Sequence, residues 1–212
     1  ARCQLALAPE LATALRALAR REGVTLFMLL LAGFDALLYR YSGQRDLVVG
    51  TPVANRARTE TEGLIGLFLN TLVVRATIAE GATFREFLQR VKASCLGAYA
   101  HQDTPFERLV TELSPARDLG RSPLFQVMFT LQAAPAGPMA LSGLTLRGVG
   151  ATSTTSKFDL TLSLSDGPRG LHGAIEYATD LFDGPTIDRM AAHLGVLLSG
   201  TGSDGTLGLS EV

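Results

Sequence analysis

The sequence is poor in several residue types that usually mark a function. Tryptophan is absent, and 212 residues contain only two cysteines and three histidines. Cys3 and Cys95 are too few for a disulfide framework and suit a reducing compartment, so we expect a cytoplasmic protein. None of the histidines has metal-ligand spacing to a Cys, Asp or Glu, which argues against a zinc site.

An excess of charge and a long hydrophobic run are also missing. The formal net charge is −1, which gives no electrostatic reason to expect nucleic acid or an anionic membrane as a partner. The most apolar run, residues 24–34, ends at Asp35 and is too short to cross a bilayer. With 47% hydrophobic and 18% charged residues, the composition is that of a globular chain with its own core.

Hydrophobic periodicity and capping signals predict an α/β layered domain with a mixed sheet flanked by helices. The predicted helices cover residues 9–22, 25–41, 83–100, 104 onward, and 183–198. The predicted strands cover residues 46–53, 64–78, 124–131, 144–149, 158–164 and 172–177, with a turn at 166–167 joining the last two. The charged residues 55–63 are interpreted as a solvated loop.

Residues 64–78 form the most informative predicted strand of the sequence. They are apolar at both alternating positions, which is typical of a strand buried on both faces. Asn70 and Thr71 interrupt this pattern. An unpartnered buried amide costs about 1–3 kcal/mol, so we expect Asn70 to be hydrogen-bonded. Two interpretations remain open: a bulge or cap that uses Asn70 structurally, and a strand that lines a reaction channel.

Among residues that carry chemistry, His101 is the one candidate base. It follows a predicted helix and lies two residues before Asp103, so capping the joint between two helices is the alternative use. Cys95 lies within a predicted helix with no histidine close in sequence, which is typical of an inert buried thiol. For His172 and His193 we expect core or surface packing. The sequence contains no Gly-x-Ser-x-Gly elbow, and its Gly-x-Gly at 200–202 does not lie between a strand and a helix.

Three motifs carry a family resemblance: IGLFLNT at residues 65–71, HQDTPFE at 101–107 and RDLGRSPL at 117–124. In order and spacing they resemble three successive signature motifs of the condensation domains of nonribosomal peptide synthetases. GTPVANR at 50–56 and SKFDL at 156–160 are similar to further stretches of that family, so the resemblance covers essentially the whole chain. It departs from the usual pattern at Leu69, Thr104, Gly120 and Ser122.

The family's catalytic signature, two adjacent histidines followed by an aspartate and a glycine, does not occur in this sequence. The resemblance places that signature in an N-terminal lobe, so it implies that this chain is the C-terminal lobe and holds no catalytic residue of its own. We therefore expect a piece of a longer protein. In it, residues 1–200 form the lobe and residues 201–212 form a linker toward a following domain.

The same resemblance implies a chloramphenicol-acetyltransferase-like fold of two lobes with a tunnel between them. Donor and acceptor carrier proteins would insert phosphopantetheine arms from opposite ends, and the acceptor amine would attack the donor thioester to form an amide. No cofactor would be bound directly. The implied partners are the N-terminal lobe, the two carrier proteins and a neighbouring adenylation domain.

The resemblance also implies roles for individual residues. Arg56 matches an arginine that pairs with the aspartate of the catalytic signature, residues 53–63 would form the tunnel floor, and part of residues 133–157 would form a latch to the other lobe. The residues expected to support the tunnel or active site are Arg56, Asn70, Thr71, His101, Gln102, Asp103 and Arg121.

Two other functions stay open at this point. One is a degenerate, non-catalytic condensation-like module that binds a carrier protein or a tailoring enzyme. The other is a related epimerisation domain, although the intact Pro-Phe-Glu at 105–107 and Ser-Pro-Leu at 122–124 resemble condensation domains more closely.

Overall fold

Six strands form one mixed sheet in the computed structural model, which describes residues 1–56, 59–113, 121–133, 155–167 and 170–200. The strands are β1 (Arg2–Leu7), β2 (Asp46–Val53), β3 (Asn70–Thr77), β4 (Val127–Ala133), β5 (Leu160–Gly167) and β6 (Gly170–Tyr177). The helices are α1 (Pro9–Arg21), α2 (Leu26–Ser42), α3 (Thr59–Glu62), α4 (Phe84–Ala100), α5 (Phe106–Leu113) and α6 (Gly184–Gly200).

The strand order is β1-β6-β5-β4-β2-β3. The β2–β4 and β4–β5 pairs are parallel, and the other pairs are antiparallel. Leu160, Leu162 and Leu164 of β5 are buried beneath the helices, whereas Thr161 and Ser163 alternate with them on the other face. The sheet is therefore covered by helices α1, α2, α4 and α6 on one face, as the alternating strand pattern requires.

Helix α2 is the centre of the core, as its almost uniformly apolar sequence predicts. All ten residues from 28 to 37 are buried. The Thr25 hydroxyl accepts a hydrogen bond from the Met28 N–H at 3.2 Å and caps the helix start. Gly43, with a φ of 71°, ends the helix in the left-handed conformation. No single helix of the described residues is long and apolar enough to span a bilayer; α1 and α2 meet that test only as a pair, bent by 105°.

Most predicted elements are found with shifted ends. Strand β1 is missing from the sequence prediction, because its six residues include no β-branched or aromatic side chain and so lack strong β-propensity. The predicted turn at 166–167 lies inside β5, and the connecting residues 168–169 lie outside the described residues. The predicted strand at 144–149 also lies outside them. The short helix α3 lies within the segment predicted to be a loop.

The prediction for residues 64–78 is wrong in its first half. Strand β3 begins only at Asn70, and it buries one face rather than two because it is an edge strand with helix α4 on one side. The preceding segment exposes most of its apolar side chains. Those exposed by more than half are Leu64 (53%), Ile65 (105%), Leu67 (87%) and Leu69 (63%). We call these four residues the apolar strip.

Candidate functional site

The side chain of Asn70 holds four backbone groups at the start of β3. Its Nδ2 donates to the carbonyl oxygens of Gln102 at 2.7 Å and Thr104 at 2.8 Å. Its Oδ1 accepts from the N–H groups of Thr71 at 2.9 Å and Phe106 at 3.2 Å. Two donors and two acceptor positions are the full capacity of an amide side chain. Asn70 therefore ties β3 to the connection between α4 and α5, and we call this set of contacts the Asn70 joint.

Helix α5 takes its N-terminal cap from another element. The sequence pattern predicts Thr104 as the cap and Pro105 as the first helical residue, but the helix begins at Phe106. The orphan N–H of Phe106 donates to Asn70, which precedes it by 36 residues. Of the two interpretations of Asn70, the structural one is therefore observed: its side chain caps helix α5. Whether the same residue also lines a channel stays a prediction.

An aromatic cluster packs three segments of the chain against β2. The rings of Phe106 and Phe125 have centroids 5.7 Å apart, and those of Phe125 and Phe158 are 5.2 Å apart. Phe125 covers Gly50, where an added Cβ would lie 2.3 Å from the ring. Glycine is therefore required at position 50 for this packing. Through these contacts, segments that are far apart in the sequence converge at one end of the sheet.

Arg56 organises the segment between β2 and β3. Its Nη1 donates to the carbonyl oxygen of Thr61, and its Nη2 donates to that of Gly66 at 3.4 Å. Its guanidinium carbon lies 4.3 Å from the ring centroid of Phe68, a cation–π contact. Asn55, with a φ of 49°, turns the chain into this segment. Arg56 therefore acts locally as an organiser; its expected partner on another lobe lies outside this chain and stays a prediction.

The structure brings most of the predicted support residues together. Thr71 and Gln102 are half-buried at the Asn70 joint, and the exposed His101 and Asp103 flank Gln102 there. Arg56 contacts its own loop instead, and Arg121 lies exposed in the segment that precedes β4.

His101 contributes mainly its backbone to the joint. It ends α4, its N–H donates to the Ala98 carbonyl at 3.2 Å, and its carbonyl accepts from the Thr104 N–H at 3.0 Å. Its side chain is exposed. This geometry matches the joint-forming alternative, and nothing in it positions the imidazole against a buried reacting group.

The remaining titratable candidates show no arrangement that indicates catalysis within the described residues. Burial, followed by the charge of Asp35, raises the pKa of the Cys95 thiol to about 12, as expected of an inert thiol. Burial also raises the pKa of Tyr99 to about 12. His193 is exposed, with its Nδ1 2.9 Å from the Tyr41 hydroxyl. Within the described ranges, no group of three or more His, Cys, Asp or Glu residues is placed to hold a metal ion.

The apolar strip is the feature that sequence reasoning missed. The buried positions of β3 are the even-numbered ones, Leu72, Val74 and Ala76, whereas Ile65, Leu67 and Leu69 are odd-numbered. Leu64 is even-numbered and exposed as well, and residues 64–78 are apolar at both alternating positions. Periodicity therefore held no signal that separates the strip from β3.

Known proteins resemble this chain in both sequence and fold. A family model described as "Condensation domain" matches residues 1–212. A linear gramicidin synthase of Brevibacillus parabrevis is 53% identical over 197 residues, which are 92% of this chain and 2% of that protein. Tyrocidine synthase 3 of the same organism is 44% identical over 198 residues, which are 93% of this chain and 3% of that protein. The chain thus spans a small part of the length of these curated relatives.

Two solved structures share the fold. A crystal structure of a four-domain nonribosomal peptide synthetase bound to AMP and glycine matches with a TM-score of 0.90 and 26% identity, covering all of this chain and 17% of that one. A complex of the X-domain and OxyB from teicoplanin biosynthesis matches with a TM-score of 0.86 and 28% identity, covering all of this chain and 47% of that one. The predicted chloramphenicol-acetyltransferase-like α/β lobe is confirmed.

Proposed function

Because the chain belongs to the condensation-domain family of nonribosomal peptide synthetases, we propose that it is the C-terminal lobe of a domain that forms an amide bond between two carrier-bound substrates. The observation that carries this proposal is the apolar strip, which lies directly beside the loop organised by Arg56 and next to the Asn70 joint. This is the surface that a second lobe would cover.

The composition of the strip supports a protein partner. Four large aliphatic side chains within six residues are more than half exposed, and residues 63–69 include no charged side chain. Single exposed apolar residues are ordinary, but a contiguous group of them marks an interaction surface. An N-terminal lobe of matching apolar character would remove these side chains from water.

In the proposed reaction, the acceptor's amine nitrogen attacks the carbonyl carbon of the donor thioester. A C–N bond forms, the C–S bond to the donor's phosphopantetheine breaks, and the proton lost by the amine ends on the leaving thiolate. The base belongs to the other lobe. This chain would help to position the two substrates. Asn70 fixes the segment that carries His101 to Asp103, and Arg56 fixes the loop expected to form the tunnel floor. Such positioning accelerates a two-substrate reaction by reducing its entropic cost.

The test is reconstitution from two separately produced lobes. A donor aminoacyl carrier and an acceptor aminoacyl carrier are offered to this chain, with and without the N-terminal lobe, and amide product is measured by mass spectrometry. We expect product only with both lobes. A comparable rate from this chain alone would overturn the proposal, and His101 would then be the first suspect.

A pair of matched variants tests whether the apolar strip forms the interface with the other lobe. Ile65→Asp with Leu67→Asp should abolish reconstitution, since burying two unpaired carboxylates at an interface is costly. Leu96→Asp on α4 is the control, because Leu96 is also about half exposed but lies on a different element. Full activity of the strip variant would show that the strip is not part of the interface between the lobes.

A second function is favoured by one comparison. The X-domain relative is described in complex with OxyB, so a lobe of this fold can occur in a protein–protein complex. A non-catalytic docking module is therefore the alternative proposal. It predicts no amide product even with both lobes, together with stable binding of a partner enzyme.

The placement of this lobe in a longer protein is part of the same proposal. Residues 1–200 would form the lobe, and residues 201–212 would lead toward a neighbouring adenylation domain. The phosphopantetheine arms of the carriers would act as substrate carriers and not as cofactors of this lobe, in a cytoplasmic assembly. Limited proteolysis of the parent protein would test the boundary, with cleavage expected after residue 200.

A further inference from the structure

A pocket of about 410 Å³ opens where the first residues of β2, β4 and β5 meet helices α2 and α6. Leu47, Leu160 and Met190 line it and are buried, so they form its apolar base. A pocket of this volume with an apolar base is typical of a site for a small organic molecule. We call it the α2–β5 pocket. None of its lining residues belongs to the apolar strip or to the Asn70 joint.

The charged residues that line the pocket are both acidic, Asp46 and Asp159, and no Lys, Arg or His is among the described lining residues. Asp46 is exposed at the rim, and its carboxylate already accepts from Arg75 Nε at 2.7 Å and Nη2 at 2.6 Å. The half-buried Asp159 carboxylate has no ion pair or hydrogen bond within the described part of the chain. The nearby Lys157 is exposed, with its Nζ 5.5 Å from the ring centroid of Phe158.

The backbone holds Asp159 in place. Its N–H donates to the Gln126 carbonyl at 3.0 Å, and its carbonyl accepts from the Ala178 N–H at 3.1 Å. Gln126 also lines the pocket, and its Nε2 donates to the Ser122 carbonyl at 2.9 Å. This bond leaves the amide oxygen of Gln126 as an acceptor. Two half-buried acceptors are therefore fixed above the apolar base before any ligand arrives, which lowers the entropic cost of binding.

The chemistry of these groups selects one class of occupant. An anion would be repelled by Asp159, and a wholly apolar molecule would cover the half-buried carboxylate without giving it a partner, which is costly. An ammonium group carries three donors and no acceptor, so it complements both Asp159 and Gln126. The bonds that it forms to a carboxylate are charge-assisted and stronger than neutral ones.

We propose that the α2–β5 pocket binds a small organic amine, with its ammonium group at Asp159 and Gln126 and its apolar body over Leu160 and Met190. The proposal concerns a ligand site on the helix-covered side of the sheet and does not depend on the amide-forming function proposed above.

The experiment titrates the full chain with three probes of similar size and different charge: phenethylamine, phenethyl alcohol and phenylacetate. Dissociation constants are measured by nuclear magnetic resonance from the shifts of the protein's backbone amides. We expect the amine to bind about tenfold more tightly than the alcohol, the effect of one charge-assisted hydrogen bond. Phenylacetate should bind more weakly than the alcohol, and the shifted amides should include those of Gln126 and Asp159.

Matched variants identify the group that recognises the charge. Asp159→Asn should reduce the affinity for the amine to that for the alcohol and leave the alcohol's affinity unchanged, which shows that the pocket is still folded. Gln126→Leu is the second variant and should also weaken the amine selectively. Asp180→Asn is the control, because Asp180 is an exposed acid that does not line the pocket, and it should keep the tenfold preference.

Leu124→Trp tests the location of the site, since Leu124 lines the pocket and a larger side chain there would fill it. This variant should weaken the amine and the alcohol alike. Equal affinities for the three probes, or no binding of any of them, would overturn the proposal. A preference for the amine that survives in both Asp159→Asn and Gln126→Leu would also overturn it.

Discussion

Helix α2 and the apolar strip are similarly hydrophobic in sequence and opposite in environment. The ten residues from 28 to 37 of α2 are all buried in the lobe's own core, whereas Leu64, Ile65, Leu67 and Leu69 face outward. The difference shows that an apolar sequence predicts burial but does not predict which surface will cover it. In α2 the core of the same chain covers the helix, whereas the described residues leave the strip exposed.

The largest effect is expected inside α2. Phe34 is fully buried and contacts the ring of Phe129, with centroids 6.1 Å apart. Phe34→Ala should lower the free energy of unfolding by about 3–5 kcal/mol, because it removes apolar contacts and leaves a cavity. Urea denaturation followed by circular dichroism measures it. A loss below about 1 kcal/mol would mean that α2 is not the centre of the core.

The second prediction concerns the acid within α2. Burial raises the pKa of Asp35 well above its ordinary value of 3.8, and its Oδ1 has no hydrogen-bond partner among the described residues. Since the folded-state pKa is the higher one, the folded state binds the proton more tightly. The stabilisation is complete below the unfolded pKa and is lost as the pH rises toward the folded one.

Between those two pKa values, stability should fall by about 1.4 kcal/mol per pH unit. Asp35→Asn should remove this slope and raise the melting temperature at neutral pH. Thermal unfolding from pH 4 to pH 8 provides the measurement. Parallel curves for the two proteins would show that Asp35 is ionised in the folded state without cost.

Directly after the strip, Asn70→Ala should cost about 1–3 kcal/mol, because four backbone groups lose a partner. Gln102→Ala is the matched control, since Gln102 contributes only its carbonyl oxygen to the joint. Equal stability of the two variants, measured by urea denaturation, would contradict the role given to the Asn70 joint.

Arg56→Ala should have a smaller effect on this chain, about 1–2 kcal/mol, from the loss of its carbonyl contacts and its position over Phe68. In an intact two-lobe domain the loss should be larger and should include activity, because the expected interlobe pair would also be broken. Equal losses in the two contexts would argue against that pair.

The smallest effect is expected in the strip. Ile65→Ala should change the stability of this chain by less than about 0.5 kcal/mol, since the side chain is already in water. The same variant should weaken association with an N-terminal lobe, measured by isothermal titration calorimetry. A large loss of stability in the chain alone would show that the strip is packed in solution, and the comparison with α2 would fail.

Much of the fold could be predicted because its signals are local. Thr25 and Thr83 sit before apolar helices and cap them, and Gly43 ends α2. Each depends on backbone groups within four residues, which the sequence displays directly. The family resemblance rested on three motifs and two further similar stretches, and the comparisons confirm it over residues 1–212.

What the sequence by itself determined, then, is the approximate position of the described helices other than α3, the mixed α/β class and the family. Only the tertiary structure decided that Asn70 caps a helix 36 residues away, that Phe125 covers Gly50, and that β3 starts at Asn70. These features depend on groups distant in sequence, whose approach is fixed by packing of the whole lobe. The strip is a further example. Periodicity in the sequence identifies apolar segments, but only the packing of the sheet and helices determines which of them stays exposed.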